Sequence, residues 1–241
     1  MLDLGSHEGS FDRNVHPFRT VRVDLEHASG IDVQADAAHL PFASNCFDAV
    51  VSNHSLEHFA DLDRALAEIG RVLARPGALF IAVPDASTFT DRLYRWLAKG
   101  GGHLNSFTSA PALAAHIERF VGIPCTGVRV LHTSLSFLNP HNRRAPAPRK
   151  LLLLAGGREP FLIALTFLLR SADRIFGTRL SVYGWALCFG CEPAEAGSWT
   201  NVCVRCGSGH PARELRPGAA RLYRCPSCGA RNLFTPDPGS V

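Results

Sequence analysis

Four short apolar runs constrain the fold of this 241-residue chain more than any other feature: MLDL (1–4), TVRVDL (20–25), FDAVVS (47–52) and ALFIAVP (78–84). Each reads as a buried strand of a parallel sheet, where helices cover both faces. Parallel neighbours require crossovers, and DLDRALAEIGRVLARPG supplies one. It places Leu62, Leu66, Ile69 and Leu73 on one helical face, with Asp61 as N-cap and Pro76-Gly77 as the expected stop. A further helix is predicted from Thr108 or Ser109, ahead of Pro111, through Leu113, Ile117 and Phe120. Alternation of this kind over residues 1–135 predicts an α/β sheet.

Two more strands are expected in TGVRVLHTSL (126–135) and RLSVYGWALCFG (179–190). The residues between them, about 136–178, far exceed a hairpin loop of about 2–5 residues, so they read as a helical insertion. This insertion holds the apolar stretch 151–170, LLLLAGGREPFLIALTFLLR. A membrane-spanning helix needs roughly 20 uninterrupted apolar residues, and Arg158, Glu159 and Pro160 divide this one. No transmembrane segment is expected; the stretch reads as a lid, a partner surface or a peripheral membrane contact. Asp3 and Glu8 fall where a secretory signal would need basic and then apolar residues, so a cytoplasmic location is expected. A net charge of +4 permits an acidic partner without requiring one.

The run LDLGSHEG joins a strand to small residues, which let a ligand approach the backbone closely. Asp24 follows at the end of the second strand, where an acid about 20 residues past the glycine turn can bind a ribose diol. Beyond a third short strand, VQADAAHLPF places Asp36 where a carboxylate can receive an adenine amino group. Together these describe a pocket for an adenosine-bearing ligand. A nicotinamide-type fold would want G-x-G-x-x-G, which this run lacks.

LDLGSHEG, VRVDLE, ADAAHLPFASNCFDAVVSNHSLEHF and EIGRVLARPGALFIAVPD, in that order, resemble the class I S-adenosylmethionine-dependent methyltransferases of the type 11 group. The resemblance spans roughly the first 135 residues. It implies a Rossmann-like seven-stranded sheet, mostly parallel with the last strand antiparallel. It further implies that Asp3, Gly5, Ser6, Gly9, Asp24, Asp36, Ala37, Asn53 and His54 surround S-adenosylmethionine. Two departures stand out. His7 occupies the usual place of a second glycine, and only about a dozen residues separate the glycine turn from the second strand, which implies a very short or missing helix. The first strand also has only Met1–Leu4 before its turn, so a natural start upstream of Met1 is expected, with an intact mass of the native protein as the check.

Methyl transfer from a sulfonium chiefly needs proximity and alignment, and a hydroxyl acceptor also benefits from a general base. His54 and His58, flanking Glu57 after the fourth strand, and His103 in KGGGHLNSF are the candidate bases, since histidine titrates near neutrality. A structural role for each stays open: the Leu56-Glu57-His58 step resembles a family feature that closes the cofactor pocket. The three glycines before His103 suit either a mobile loop or a plain connection.

Near the C-terminus, Cys203-x2-Cys206 and Cys225-x2-Cys228 are each followed by glycine. Four thiolates in paired knuckles favour structural Zn²⁺, and residues 201–235 read as a zinc ribbon appended to a methyltransferase domain at 1–200. Arginines 205, 213, 216, 221, 224 and 231 against the single acid Glu214 make it basic. They suit either RNA or the neutralisation of a zinc–tetrathiolate centre. Cys188 and Cys191, three apart on a strand, point to opposite faces and are not expected to form another metal site.

The expected function is methyl transfer to a small-molecule or glycan- or lipid-linked acceptor, with a hydroxyl as the expected atom. The alternatives are an RNA methyltransferase docking through the ribbon, or a non-catalytic scaffold with a degenerate pocket.

Overall fold

A computed structural model describes residues 1–7, 9–11, 13–14, 18–97, 102–139, 141–142, 159–192, 201–218 and 221–236. Its strands are β1 (Leu2–Leu4), β2 (Val21–Asp24), β3 (Val33–Gln34), β4 (Phe47–Asn53), β5 (Leu73–Pro84), β6 (Cys125–His132) and β7 (Val182–Phe189). They form one sheet in the order β3-β2-β1-β4-β5-β7-β6. It is mostly parallel with one antiparallel strand, as expected. The first strand is central: Leu2 and Leu4 pair with Val21 and Val23 on one side and with Val50 and Ser52 on the other. Leu2, Leu4 and Val23 are fully or almost fully buried.

Helix α1 (Leu62–Val72) begins at Asp61, whose carboxylate accepts from the Arg64 N–H at 3.0 Å. That N-cap satisfies one of the orphan donors of the first turn, worth about 1 kcal/mol. Ala65, Leu66, Ile69 and Val72 form the buried face. The helix therefore stops earlier than Pro76-Gly77 suggested. Leu73 already opens β5, and the register against β4 shifts between Phe47↔Leu73 and Ala49↔Ala78. The sequence Ala-Arg-Pro-Gly forms this irregularity, a place where proline's missing N–H does no harm to the ladder.

Helix α2 spans Phe89–Leu97, and α3 spans Ala110–Val121 with Ser109 as N-cap and Pro111 in its first turn. Leu113 and Ile117 are buried in α3, whereas Phe120 is half-buried. Helix α4 (Glu159–Phe176) lies in the region expected to be helical. Residues 151–158 of the apolar stretch lie outside the described residues. Within α4, Leu162, Thr166 and Arg170 are spaced four apart and buried. Among the described residues, no helix is long and apolar enough to cross a membrane.

The chain divides into two compact units. The first comprises Met1–Pro84, His103–Arg129 and Trp185–Ala196; the second comprises Asp85–Gly102, Val130–Gly184 and Gly197–Val241. The second unit contains α4 and two small hairpins, β8 (Asn201–Val202) with β9 (Gly209–His210), and β10 (Leu222–Arg224) with β11 (Arg231–Leu233). Leu135, Leu138, Leu162 and Val204 share a buried cluster there.

Candidate active site

Because β1 to β4 are parallel neighbours, the loops after them leave the same edge of the sheet. Gly5 takes φ 65° and donates its N–H to Val23 O at 2.8 Å. A Cβ on Gly5 would lie 2.4 Å from the Ser55 Cβ, so no larger residue fits without displacing the β4 turn. Ser55 in turn donates its hydroxyl to Leu4 O at 3.0 Å. These contacts lock the glycine turn to the turn after β4.

Asp3 is fully buried and accepts from the Ser10 N–H at 3.0 Å and the Ser10 hydroxyl at 2.6 Å. Arg22, its register partner on β2, brings Nε to 3.7 Å and donates from its guanidinium to Phe11 O at 2.6 Å. Asp3 thus braces the loop from beneath. Ser6 is buried, and the Gly9 N–H returns to Ser6 O. Among the described residues between Gly5 and Thr20 none is helical, in line with the shortened connection.

His7 adopts φ 44°, a conformation that favours glycine, and donates its backbone N–H to Asp24 Oδ2 at 2.8 Å. Asp24 Oδ1 accepts from the Glu26 N–H at 3.1 Å. Each carboxylate oxygen retains further accepting capacity, so Asp24 can still receive hydroxyl donors. Asp36 is exposed and caps its own turn by accepting from the Ala38 N–H at 2.9 Å, while Ala37 is buried beside it. Asn53 ends β4. His54 follows with φ 55° and donates its N–H to Ala82 O at 2.8 Å.

A glycine with no space for a Cβ, an acid at the end of β2 and a second acid past β3 therefore lie along one sheet edge. The donor set fits S-adenosylmethionine: Gly5 and Ser6 offer a close backbone approach, Asp24 suits a ribose diol, and Asp36 an adenine amino group.

Glu57 and His58 belong to a single 3-10 turn, Leu56–His58. The Glu57 carbonyl accepts from the N–H groups of Leu104 and Asn105 at 2.7 and 2.9 Å. The Asn105 side-chain amide donates to Leu56 O and Phe59 O at 3.1 and 2.7 Å. His103 is thereby set against His58, their rings edge to face with centroids 5.0 Å apart. Leu104 and Asn105, next to the glycine run, are hydrogen-bonded to this turn. Gly100 and Gly101 of that run lie outside the described residues.

Glu57 is buried, with His54 Nδ1 at 3.9 Å and His58 Nε2 at 4.0 Å from Oε1. Although the His54 ring keeps 30% exposure, its Nδ1 is shielded from solvent. Burial first, then the charges of His103 and His58, push the His54 pKa down to about 4. The three candidate bases thus share one corner of the site, with His54 held neutral at physiological pH.

The four cysteines converge in the second unit. The sulfur atoms of Cys203, Cys206, Cys225 and Cys228 lie within 4.8 Å of one another. Gly207 and Gly229 take φ 75° and 72° and donate their N–H groups to Cys203 O and Cys225 O, closing matched knuckles. The Arg205 N–H and the Asn232 amide point at Cys203 Sγ, at 3.4 and 3.5 Å. Paired knuckles with N–H···S bonds fit a tetrathiolate metal site. Cys188 and Cys191 do not join this cluster.

Several residues escaped sequence reasoning. Arg22, Ser10 and Asn105 brace the site without carrying a motif. A charged residue inside the apolar VRVD strand was the signal for Arg22; the others had none.

The sheet order and strand directions define a Rossmann-like methyltransferase fold. Residues 2–81, about a third of the chain, match the family described as Methyltransferase domain. Over 70 residues the chain is 43% identical to a demethylmenaquinone methyltransferase of Thermobifida fusca, covering 27% of this chain and 30% of that protein. Over 127 residues it is 32% identical to a malonyl-[acyl-carrier protein] O-methyltransferase of Methylococcus capsulatus, covering 45% and 46%. The chain spans less than half the length of these curated relatives. A SAM-dependent methyltransferase from Archaeoglobus fulgidus shares the fold at a TM-score of 0.51 and 15% identity, over 78% of this chain and 84% of that one.

Proposed function

We propose that this protein is an S-adenosylmethionine-dependent methyltransferase acting on a small-molecule or glycan- or lipid-linked acceptor, through a hydroxyl oxygen. The observation that carries the reading is that Gly5, Asp24, Asp36 and Asn53 stand at or just past the ends of the neighbouring parallel strands β1 to β4, with a Cβ on Gly5 excluded by Ser55. The two curated relatives, named for demethylmenaquinone and malonyl-[acyl-carrier protein], support a metabolite-sized acceptor. When bound, the cofactor supplies a methyl group already activated on sulfur. This chain's residues do the rest. Asp24 and Asp36 hold the adenosine half, and Asp3 keeps the glycine turn in shape through Ser10. His58 and His103 stand where an acceptor hydroxyl can give up its proton. His54, with its pKa near 4, is a weaker proton acceptor and serves chiefly to line the site.

The ribbon at 201–235 is proposed to hold one structural Zn²⁺ on Cys203, Cys206, Cys225 and Cys228. Four thiolates leave no open coordination position for substrate.

The direct test is transfer of a radiolabelled methyl group from S-adenosylmethionine to fractions of cell extract. Label in a small-molecule or lipid fraction supports the reading, and absence of label in every fraction overturns it. A second reading, methylation of RNA docked on the ribbon, is favoured by one observation. Exposed Arg216, Arg224 and Arg231 surround a groove of about 550 Å³. Label in RNA, with binding that weakens steeply as salt rises, would select it. Failure to bind the cofactor at all would leave the scaffold reading.

A further inference from the structure

Beside the glycine turn, the first unit gathers donors of metal-ligating type. One carboxylate oxygen of Glu57, one ring nitrogen of His58 and one of His103 all lie within 4.8 Å of one another. We propose that Glu57, His58 and His103 form a second metal site, one that binds a first-row divalent cation.

Three observations support it. The donors are two imidazoles and one carboxylate, a set suited to Zn²⁺, Fe²⁺, Co²⁺ or Mn²⁺ rather than to Ca²⁺, which prefers all-oxygen cages. The two segments that carry them are joined by hydrogen bonds of the backbone. The Glu57 carbonyl holds both Leu104 and Asn105, and the Asn105 amide holds Leu56 and Phe59, so the His103 segment is fastened to the Glu57-His58 turn. Finally, the donors differ in access: Glu57 is buried, whereas the His58 side chain is 42% exposed. A cation there would have a protein floor and an open side, as catalytic rather than structural sites do.

Metal–ligand bonds of about 2.0–2.2 Å place neighbouring donors roughly 3–3.5 Å apart. Glu57 Oε1 and His58 Nε2 are 4.0 Å apart, so the two donors would draw together by about 0.5–1 Å on binding. His54 Nδ1, 3.9 Å from the same oxygen, lies next to the set. Binding itself does not depend on the methyltransferase reading. If both hold, His58 and His103 would bind the cation instead of taking the acceptor's proton, and the cation would lower the pKa of an acceptor oxygen that it contacts, the proton passing to solvent.

The cysteine cluster must be kept out of the measurement. The chain is first loaded with one equivalent of Zn²⁺, freed of excess metal and titrated with Co²⁺ under an absorption readout. One further equivalent of Co²⁺ is expected, with weak visible bands and no near-ultraviolet thiolate charge-transfer band. The H58A/H103A double variant should weaken that binding at least about tenfold. These two side chains do not make the backbone bonds that hold the turn, so the fold should persist, as circular dichroism would verify. H116A serves as the control, because His116 pairs with Asp63 at 2.8 Å and should not alter Co²⁺ uptake. The proposal is overturned if no second equivalent binds, if it carries a thiolate band, or if H58A/H103A binds it as wild type does.

Discussion

Arg205 of the first cysteine knuckle grips Glu159 at the start of α4 with two parallel hydrogen bonds, Nε to Oε1 at 2.5 Å and Nη2 to Oε2 at 2.7 Å. The same junction carries Ser134 donating to Cys203 O at 2.7 Å and Asn139 donating to Val204 O at 2.9 Å. Arg170, buried in α4, reaches Val202 O. The cysteine hairpins and the helix of the insertion therefore pack as parts of one unit.

Bidentate charge-assisted bonds are stronger than neutral ones, but Arg205 is 38% exposed, so solvent screening limits the gain. R205A is expected to destabilise the second unit by about 1 kcal/mol, with E159A similar and the double variant less than additive. A double-mutant cycle from urea unfolding measures the coupling.

Metal removal should propagate along this junction. Treatment with a strong chelator, or the C225S substitution, is expected to release one Zn²⁺ per chain. It should also raise hydrogen exchange in α4 as well as in the hairpins. Release of zinc with unchanged α4 protection would contradict the coupling described for Arg205, Ser134 and Asn139.

Gly5 offers a sharper test of the cofactor edge. A G5A side chain would meet Ser55 at 2.4 Å and would sit at φ 65°, which disfavours residues bearing a Cβ. Strain and displacement of the Ser55 turn together are expected to cost about 1–3 kcal/mol of stability. S-adenosylmethionine affinity is expected to fall at least about tenfold, as measured by calorimetry on the folded fraction.

Acid stability should depend on His132. Its Nδ1 lies 3.1 Å from the Ser181 hydroxyl, and burial first, then the Arg170 charge, push its pKa down to about 4, with Asp173 opposing. Because the folded value lies below the unfolded value of about 6.5, its contribution is fully present above pH 6.5. It is lost as pH falls from 6.5 through 4, by roughly 2–3 kcal/mol. H132Q should flatten the stability profile over that window in denaturant titrations at pH 7, 6 and 5.

Much of the fold was legible because its cues are local. Leu2, Leu4, Val23 and Val50 sit in short, mainly apolar runs, and Asp61 and Ser109 stand directly before helical periodicity. Pro76-Gly77 misled because a proline that stops a helix is equally tolerated at a strand irregularity. Only pairing with β4, a long-range contact, decides between them. Where a motif names the residue, as at Gly5 and Asp24, its place at a turn or strand end was legible. The site was not legible where a partner is distant in sequence. The motif that names Asp3 does not announce that both its oxygens accept from Ser10. Likewise, nothing near Asn105 announces that it fastens His103 to a turn 46 or more residues earlier.

The central claim is that the edge formed by Gly5, Asp24 and Asp36 binds S-adenosylmethionine. Calorimetric titration of the folded, zinc-loaded chain measures this most directly. One cofactor per chain is the expected result, with affinity reduced at least about tenfold in D24A, which removes the ribose acceptor. No binding by the folded wild-type chain, or equal binding by folded D24A, contradicts it.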